Sequence, residues 1–248
     1  MDNLENDYSI HALLNNYAIF SSRKNFNDLF DSKIELVRPI PKQLKDIKGK
    51  LRKSDRNYIT ELIGKGNFTP KGLQLIKDIE IKFTEQIDSY AFLSVSGNPI
   101  SNLMWSHYAK SHQGFCIEFK SEYLKAEKVD YKKCIPTLNL LDLFLVQYNL
   151  IDETTFGEQI WESLRTKLCE WSYEDEYRLL ASHSMGRIPK GDKFIKIPYK
   201  LEFVESIIFG CRMEPNIRSY IIEKMPRTVK FKRAVEKTSN IEIVDICP

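Results

Sequence analysis

The chain carries few residues for a covalent or metal framework. Its five cysteines are odd in number and far apart, at 116, 134, 169, 211 and 247, with no CxxC and no close pair. That spacing argues against a disulfide scaffold or a zinc ribbon, and leaves the thiols as small core residues in a reduced, cytoplasmic setting. Long apolar runs are missing as well. The most apolar stretch, 138–151, is interrupted by Asn139, Asp142, Gln147 and Asn149. It falls short of the ~20 apolar residues of a membrane span and reads as a buried helix. The start, MDNLENDYSI, is acidic and polar, unlike a secretory or mitochondrial leader. A net charge of +3 is too small to argue for nucleic acid. There is no P-loop, no GxSxG elbow, no Rossmann glycine fingerprint, no internal repeat and no linker of low complexity.

What is present fits a folded chain of mixed structure. Across 248 residues, 42% are hydrophobic and 29% charged, enough apolar material for a packed core. Strands are expected at 17–22, 90–96, 115–119, 177–181, 194–198, 204–209, 228–233 and 241–246. The segment 41–87 reads as helical and basic, with Leu44, Ile47 and Leu51 at helical spacing and a Thr69-Pro70 start before Leu73, Ile76 and Ile79. Eight basic residues fall between Arg38 and Arg56, a face that is solvated or meets phosphate. Thr155-x-x-Glu158 reads as a capping box. Strands and helices mix without regular alternation, so the fold class is α+β: a single domain over 1–248, a mixed or antiparallel sheet with flanking helices, and the 41–87 segment inserted between the first strands. The strands at 90–96, 115–119, 177–181 and 204–209 are expected to share one sheet.

Two segments concentrate chemistry. Ser101–Lys120 (SNLMWSHYAKSHQGFCIEFK) starts a short helix at Ser101 or Asn98-Pro99, ends it at Gly114, and continues as a strand with Phe115, Ile117 and Phe119 on one face. On a helical wheel Met104, Trp105, Tyr108, Ala109 and His112 share one side, and Leu103, Ser106, His107 and Lys110 the other. The aromatics suit the core and His107 the surface; the alternative is a stacking site. His107-x4-His112-x3-Cys116 is a poor metal site, because the histidines lie about 140° apart on the wheel and no fourth ligand is near. In Trp171–Arg178 (WSYEDEYR), a strand periodicity of two puts Glu174, Glu176 and Arg178 on one face, with Tyr177 and Leu179 opposite. That is either an intrastrand salt bridge on a solvated face or a glutamate at the mouth of a strand with an arginine beside it. Glu118-x-Lys120 is half of a metal-dependent nuclease pattern without a convincing partner aspartate. Asn25–Asp31 (NFNDLFD) holds a tight turn.

Taken in order, Phe26-Asn27-Asp28-x-Phe30-Asp31, Met104-Trp105-Ser106-His107-Tyr108-Ala109 with Gly114–Phe119, Trp171-x-Tyr173-Glu174-x-Glu176-Tyr177-Arg178, and Ile207–Gly210 resemble the bacterial domain-of-unknown-function family 2971 over about residues 8–246. Leu29 stands where that family usually has proline. Members usually open with a short Tyr/Arg-containing strand ahead of the segment matching Tyr8–Leu14, and this chain starts too late to hold it. By layout the family is similar to small ADP-ribosyltransferase-type toxins and defence proteins, which implies an NAD-using toxin-like or phage-defence enzyme, either ADP-ribosyltransferase-like or NAD-glycohydrolase-like. In that reading Glu176, then Glu174, is the carboxylate at the ribose. His107 completes the catalytic set, Tyr108 or Trp105 stacks the base, Arg178 binds or positions phosphate, and Asn27 and Asp28 join the substrate site. NAD would be co-substrate, a protein or nucleic acid the acceptor, with no metal and no membrane. A non-catalytic ligand- or protein-binding sensor module is the rival class, and a metal-dependent nuclease a third.

Overall fold

In a computed structural model, residues 7–181 and 186–246 are described. The fold class is α+β, with mostly antiparallel sheets and helices around them. The chain divides into two compact units. One comprises Met1–Ser22, Ala91–Val129 and Glu170–Pro248; the other comprises Arg23–Tyr90 and Asp130–Cys169.

The first unit holds two sheets. One has five antiparallel strands in the order Phe194–Pro198, Tyr17–Ser21, Phe92–Ser96, Glu176–Leu180 and Glu127–Lys128. One of its faces is apolar: Ala18, Phe20, Leu93, Leu179, Ile195 and Ile197 pack together with Ala91, Ala181 and Ile188. The opposite face is polar, because Ser94 faces Arg178 and Ser96 faces Glu176 in register.

The other sheet has the order Ile241–Ile246, Lys230–Glu236, Val204–Phe209 and Phe115–Phe119. Its two middle strands run parallel, joined through the helix Pro215–Lys224, while both outer pairings are antiparallel. Both faces are covered, which explains the unbroken Ile207-Ile208-Phe209 run. Ile207 and Phe209 pack with Ile10, Leu13, Ile221 and Phe231, and Ile208 packs with Trp105, Ala109, Ala234 and Ile241.

The expected single sheet is therefore two. Strands 92–96 and 176–180 pair with each other in one, and 115–119 and 204–209 pair in the other. Alternation shows that a strand buries a face but not against which partner, so pairings between distant segments are invisible to it. Between the sheets runs the short helix Asn102–Tyr108, capped by Ser101, whose Oγ accepts from the Met104 amide at 3.4 Å. It ends before Gly114, contrary to expectation. Lys110, Ser111 and His112 take the left-handed turn instead, at φ 46°, 52° and 72°. Gly210 lets that turn pass: a Cβ there would lie 2.1 Å from the His112 carbonyl oxygen.

The second unit is mainly helical, built from Pro41–Lys48, Lys53–Leu62, Pro70–Asp88, Leu140–Gln147 and Glu153–Leu164. Leu44, Ile47, Leu51, Ile59, Leu62 and Phe144 form its core. Of the basic residues of 38–56, Arg38 pairs with Glu80, and Arg56 donates to the Leu51 and Gly49 carbonyls. Thr69 caps the long helix through the Gly72 amide, as the Thr-Pro pair predicts. The capping box at Thr155 is corrected: the helix starts three residues earlier, and its cap Asp152 accepts from the Thr155 amide at 3.0 Å. Two short parallel pairs, Glu35–Val37 with Thr137–Asn139 and Asp130–Lys132 with Thr166–Leu168, close the unit. Among the described residues no helix is long and apolar enough to cross a membrane.

Candidate functional site

The polar face of the five-stranded sheet carries the Glu176–Arg178 pair. Residues two apart on a strand share a face, so the spacing alone brings these side chains side by side. Arg178 Nε donates to Glu176 Oε1 at 2.7 Å and Nη2 to Oε2 at 3.1 Å, a two-point grip. The intrastrand salt bridge drawn from the sequence is present, with Glu176 at the start of its strand, but it is buried and not on a solvated face. Arg178 is 0% exposed and Glu176 4%, with the guanidinium 5.9 Å from the centroid of Phe92. Ser94 and Ser96, their cross-strand neighbours, have no long side chains and remain exposed.

Glu174 does not continue that strand, as the period of two had predicted. It closes a 3-10 turn, Cys169–Glu174, and Asp175 at φ 44° swings the chain into the strand that begins at Glu176. The turn is pinned to the neighbouring strand end. Ser96 Oγ donates to the Glu174 carbonyl at 2.6 Å and the Gly97 amide to the Asp175 carbonyl at 2.9 Å. Lys128 Nζ lies 3.0 Å from Asp175 Oδ1, and that hydrogen bond and charge hold the lysine above its usual range.

Pinned in this way, the Glu174 side chain meets the helix Asn102–Tyr108. Tyr108 Oη donates to Glu174 Oε1 at 2.6 Å, joining the two sequence segments that stood out on composition. Glu174 is only 4% exposed, whereas Tyr108 is 52% exposed. The His107 ring lies 6.4 Å from the rings of both Tyr108 and Tyr173, and Tyr173 lies 6.0 Å from Trp171. The result is an outward-facing aromatic patch around a buried carboxylate, which suits a planar ring stacked on the aromatics and a hydroxyl or cation directed at Glu174.

Other predicted members sit elsewhere. Of the two readings drawn for Trp105, the core one describes its place: it packs against Ile208, Ala234 and Ile241, and its Nε1 donates to the Pro99 carbonyl at 2.7 Å. The helix ends at Tyr108, so Ala109 and His112 fall outside the wheel that grouped them with Trp105 and Tyr108. Asn27, exposed, and Asp28 belong to a turn of the second unit. Glu118 serves the other sheet. Its Oε2 accepts from Lys232 Nζ at 2.6 Å and from Ser206 Oγ, and although burial opposes it, those bonds hold the carboxyl below its usual range. That pairing engages Glu118, while Lys120, the other half of the motif, lies 5.9 Å from the centroid of the Tyr123 ring. The Cys116 thiol is pushed up to about 11 by burial and by Glu118, so it is a protonated core group and not a nucleophile.

Trp171 and Tyr173 stand in the Trp171–Arg178 segment that the composition singles out, but the strand pattern there points to its charged residues and not to them. Ser94 and Ser96 were missed, although small hydroxyls alternating with Leu93 and Val95 mark an open strand face.

No curated protein and no solved structure matches the chain. The Phe26–Asp31 and Ile207–Gly210 blocks lie outside the stretch that matches a family model. Residues 104–179, which hold the Tyr108–Glu174 and Glu176–Arg178 contacts together with His107, Trp171 and Tyr173, match the model of the family described as Protein of unknown function (DUF2971).

Proposed function

We propose that the chain is a ligand-binding module whose site is the aromatic patch His107, Tyr108, Trp171 and Tyr173 around Glu174, with a nucleotide such as NAD as the ligand class. The hydrogen bond from Tyr108 to Glu174 carries this reading, because it turns two distant segments into one surface with stacking faces and a fixed acceptor. A purine or nicotinamide ring would lie on the aromatics and a ribose hydroxyl would donate to Glu174. Binding is favoured over catalysis because Glu176 already gives both oxygens to Arg178, and a carboxylate gripped at two points is a framework element before it is a base.

A second reading has its own support. Two carboxylates buried to 4% exposure stand two residues apart beside an exposed tyrosine, an environment that favours a developing cationic ribose. This is the NAD-consuming transferase or glycohydrolase, in a toxin or phage-defence role. One sample separates the two readings. Calorimetric titration with NAD reports binding, and chromatography of the same mixture reports released nicotinamide, with partner proteins added as acceptors. Heat without nicotinamide supports the module, and nicotinamide release supports the enzyme. Neither signal overturns both.

A further inference from the structure

The second unit carries an open cavity of about 460 Å³, within the ~300–1,000 Å³ range of small-molecule sites. Its walls come from the turn 23–36 and the end of the long helix Pro70–Asp88. The turn is braced from behind. Arg23 Nε donates to Asp88 Oδ1 at 2.8 Å and its Nη1 to the Ser32 carbonyl at 2.9 Å. Asp31 and Lys167 form a buried ion pair at 3.3 Å. Ser32, fully buried and at φ 54°, donates its hydroxyl to the Leu164 carbonyl. A non-glycine residue held in that conformation by so many bonds marks a turn whose shape matters.

Two charged groups of this wall, Asp28 and the exposed Lys33, stand in no ion pair among the described residues. Asp28 Oδ1 accepts from the Phe30 amide at 3.0 Å, but Oδ2 is buried with no hydrogen-bond partner. A desolvated carboxylate oxygen without a donor is costly. Lys33 lies over the Phe30 ring at 5.2 Å and has no carboxylate at ion-pair distance among the described residues. The rest of the lining is near charge balance, with Arg23 and Lys24 both at Asp88 and Asp31 at Lys167. Balanced walls favour neither a polyanion nor a free metal cation. Phe26, Ile34, Leu36 and Ile87 supply an apolar floor.

We propose that this cavity binds a small zwitterion of the α-amino-acid class with an apolar side chain, its ammonium donating to Asp28 and its carboxylate received by Lys33. One buried acceptor without a partner and one exposed ammonium outside any ion pair, on the same turn beside apolar walls, match that ligand group by group. The inference rests on the second unit alone and not on the nucleotide reading.

The test uses the full chain with L-leucine and L-phenylalanine as probes, followed by calorimetry. Leucinamide, which lacks the carboxylate, and 4-methylpentanoate, which lacks the ammonium, are the controls. The amino acids should bind, and each control should bind about tenfold or more weakly. Asp28→Asn and Lys33→Gln should each lose about tenfold in affinity while circular dichroism melts stay cooperative. Tyr108→Phe should leave this binding intact. Absence of binding at about 10 mM ligand, where even a weak site of ~4 kcal/mol would be filled, overturns the proposal. So do equal binding of a single-charge control, affinity unchanged in both variants, and preference for AMP or phosphate. If either variant fails to melt cooperatively, the two controls on the wild type decide.

Discussion

Arg178 and Glu176 stand two residues apart on one strand and meet at two points, 2.7 Å and 3.1 Å, with both side chains buried. Removing one partner strands the other charge away from water. Arg178→Ala should therefore destabilise the chain by about 3–5 kcal/mol, and Arg178→Lys should also be damaging because a point charge replaces a planar fork. The double change Glu176→Met with Arg178→Met should cost much less than Arg178→Ala alone. Urea unfolding of the three variants checks the order.

Tyr108→Phe removes one hydroxyl and leaves the ring in place. Because Glu174 is buried, its loss of a charge-assisted bond should cost about 1.5–3 kcal/mol in stability or ligand affinity. Glu174→Gln should weaken a ribose contact by removing its charge and, if NAD is consumed, lower the rate ~10²-fold. Glu176→Gln should relieve growth inhibition only under the enzyme reading. NAD titration and growth assays of the three variants are the measurements.

The Glu118 carboxyl is held below the usual 4.5 by Lys232 and Ser206 against the opposing effect of burial. A carboxyl with a lower value folded than unfolded gives stability that is fully present above the unfolded value and is lost as pH falls through the folded one. Below pH 4.5 the wild type should lose stability faster than Glu118→Gln, and above it the gap between them should be constant. Denaturant melts at several pH values test this.

Tyr199 carries a buried hydroxyl with no hydrogen-bond partner, and burial pushes its value up to about 12. Tyr199→Phe should leave stability unchanged or raise it, by up to about 1 kcal/mol. A fall of that size in thermal melts would show that the hydroxyl is satisfied.

Gly210→Ala should be severe. The added Cβ would sit 2.1 Å from the His112 oxygen, where the Gly210 amide also donates to the Gly114 carbonyl at 2.8 Å. A backbone clash between two pinned segments should cost about 3 kcal/mol or more, seen as a lowered melting midpoint.

Much of the local structure was legible before any coordinates. Ser101 and Thr69-Pro70 announced helix starts, Phe115–Phe119 and Ile207–Phe209 announced strands, and the spacing of Glu176 and Arg178 announced a pair on one face. These signals act within one turn or one strand, so the side chains that make them are neighbours in the chain. Two local readings failed where a nearby rival won: Asp152 capped the helix assigned to Thr155, and Asp175 broke the strand that would have aligned Glu174 with Glu176.

The sequence by itself determined element types, caps and the residues rich enough in chemistry to form a site. Only the tertiary structure decided that the strands split into two sheets, that Trp105 packs in a core, that the Glu176–Arg178 pair is buried, and that Tyr108 reaches Glu174 across 66 positions. Periodicity states which side of an element is apolar, but partner and depth follow from packing between distant segments, and that free energy belongs to no single stretch of chain.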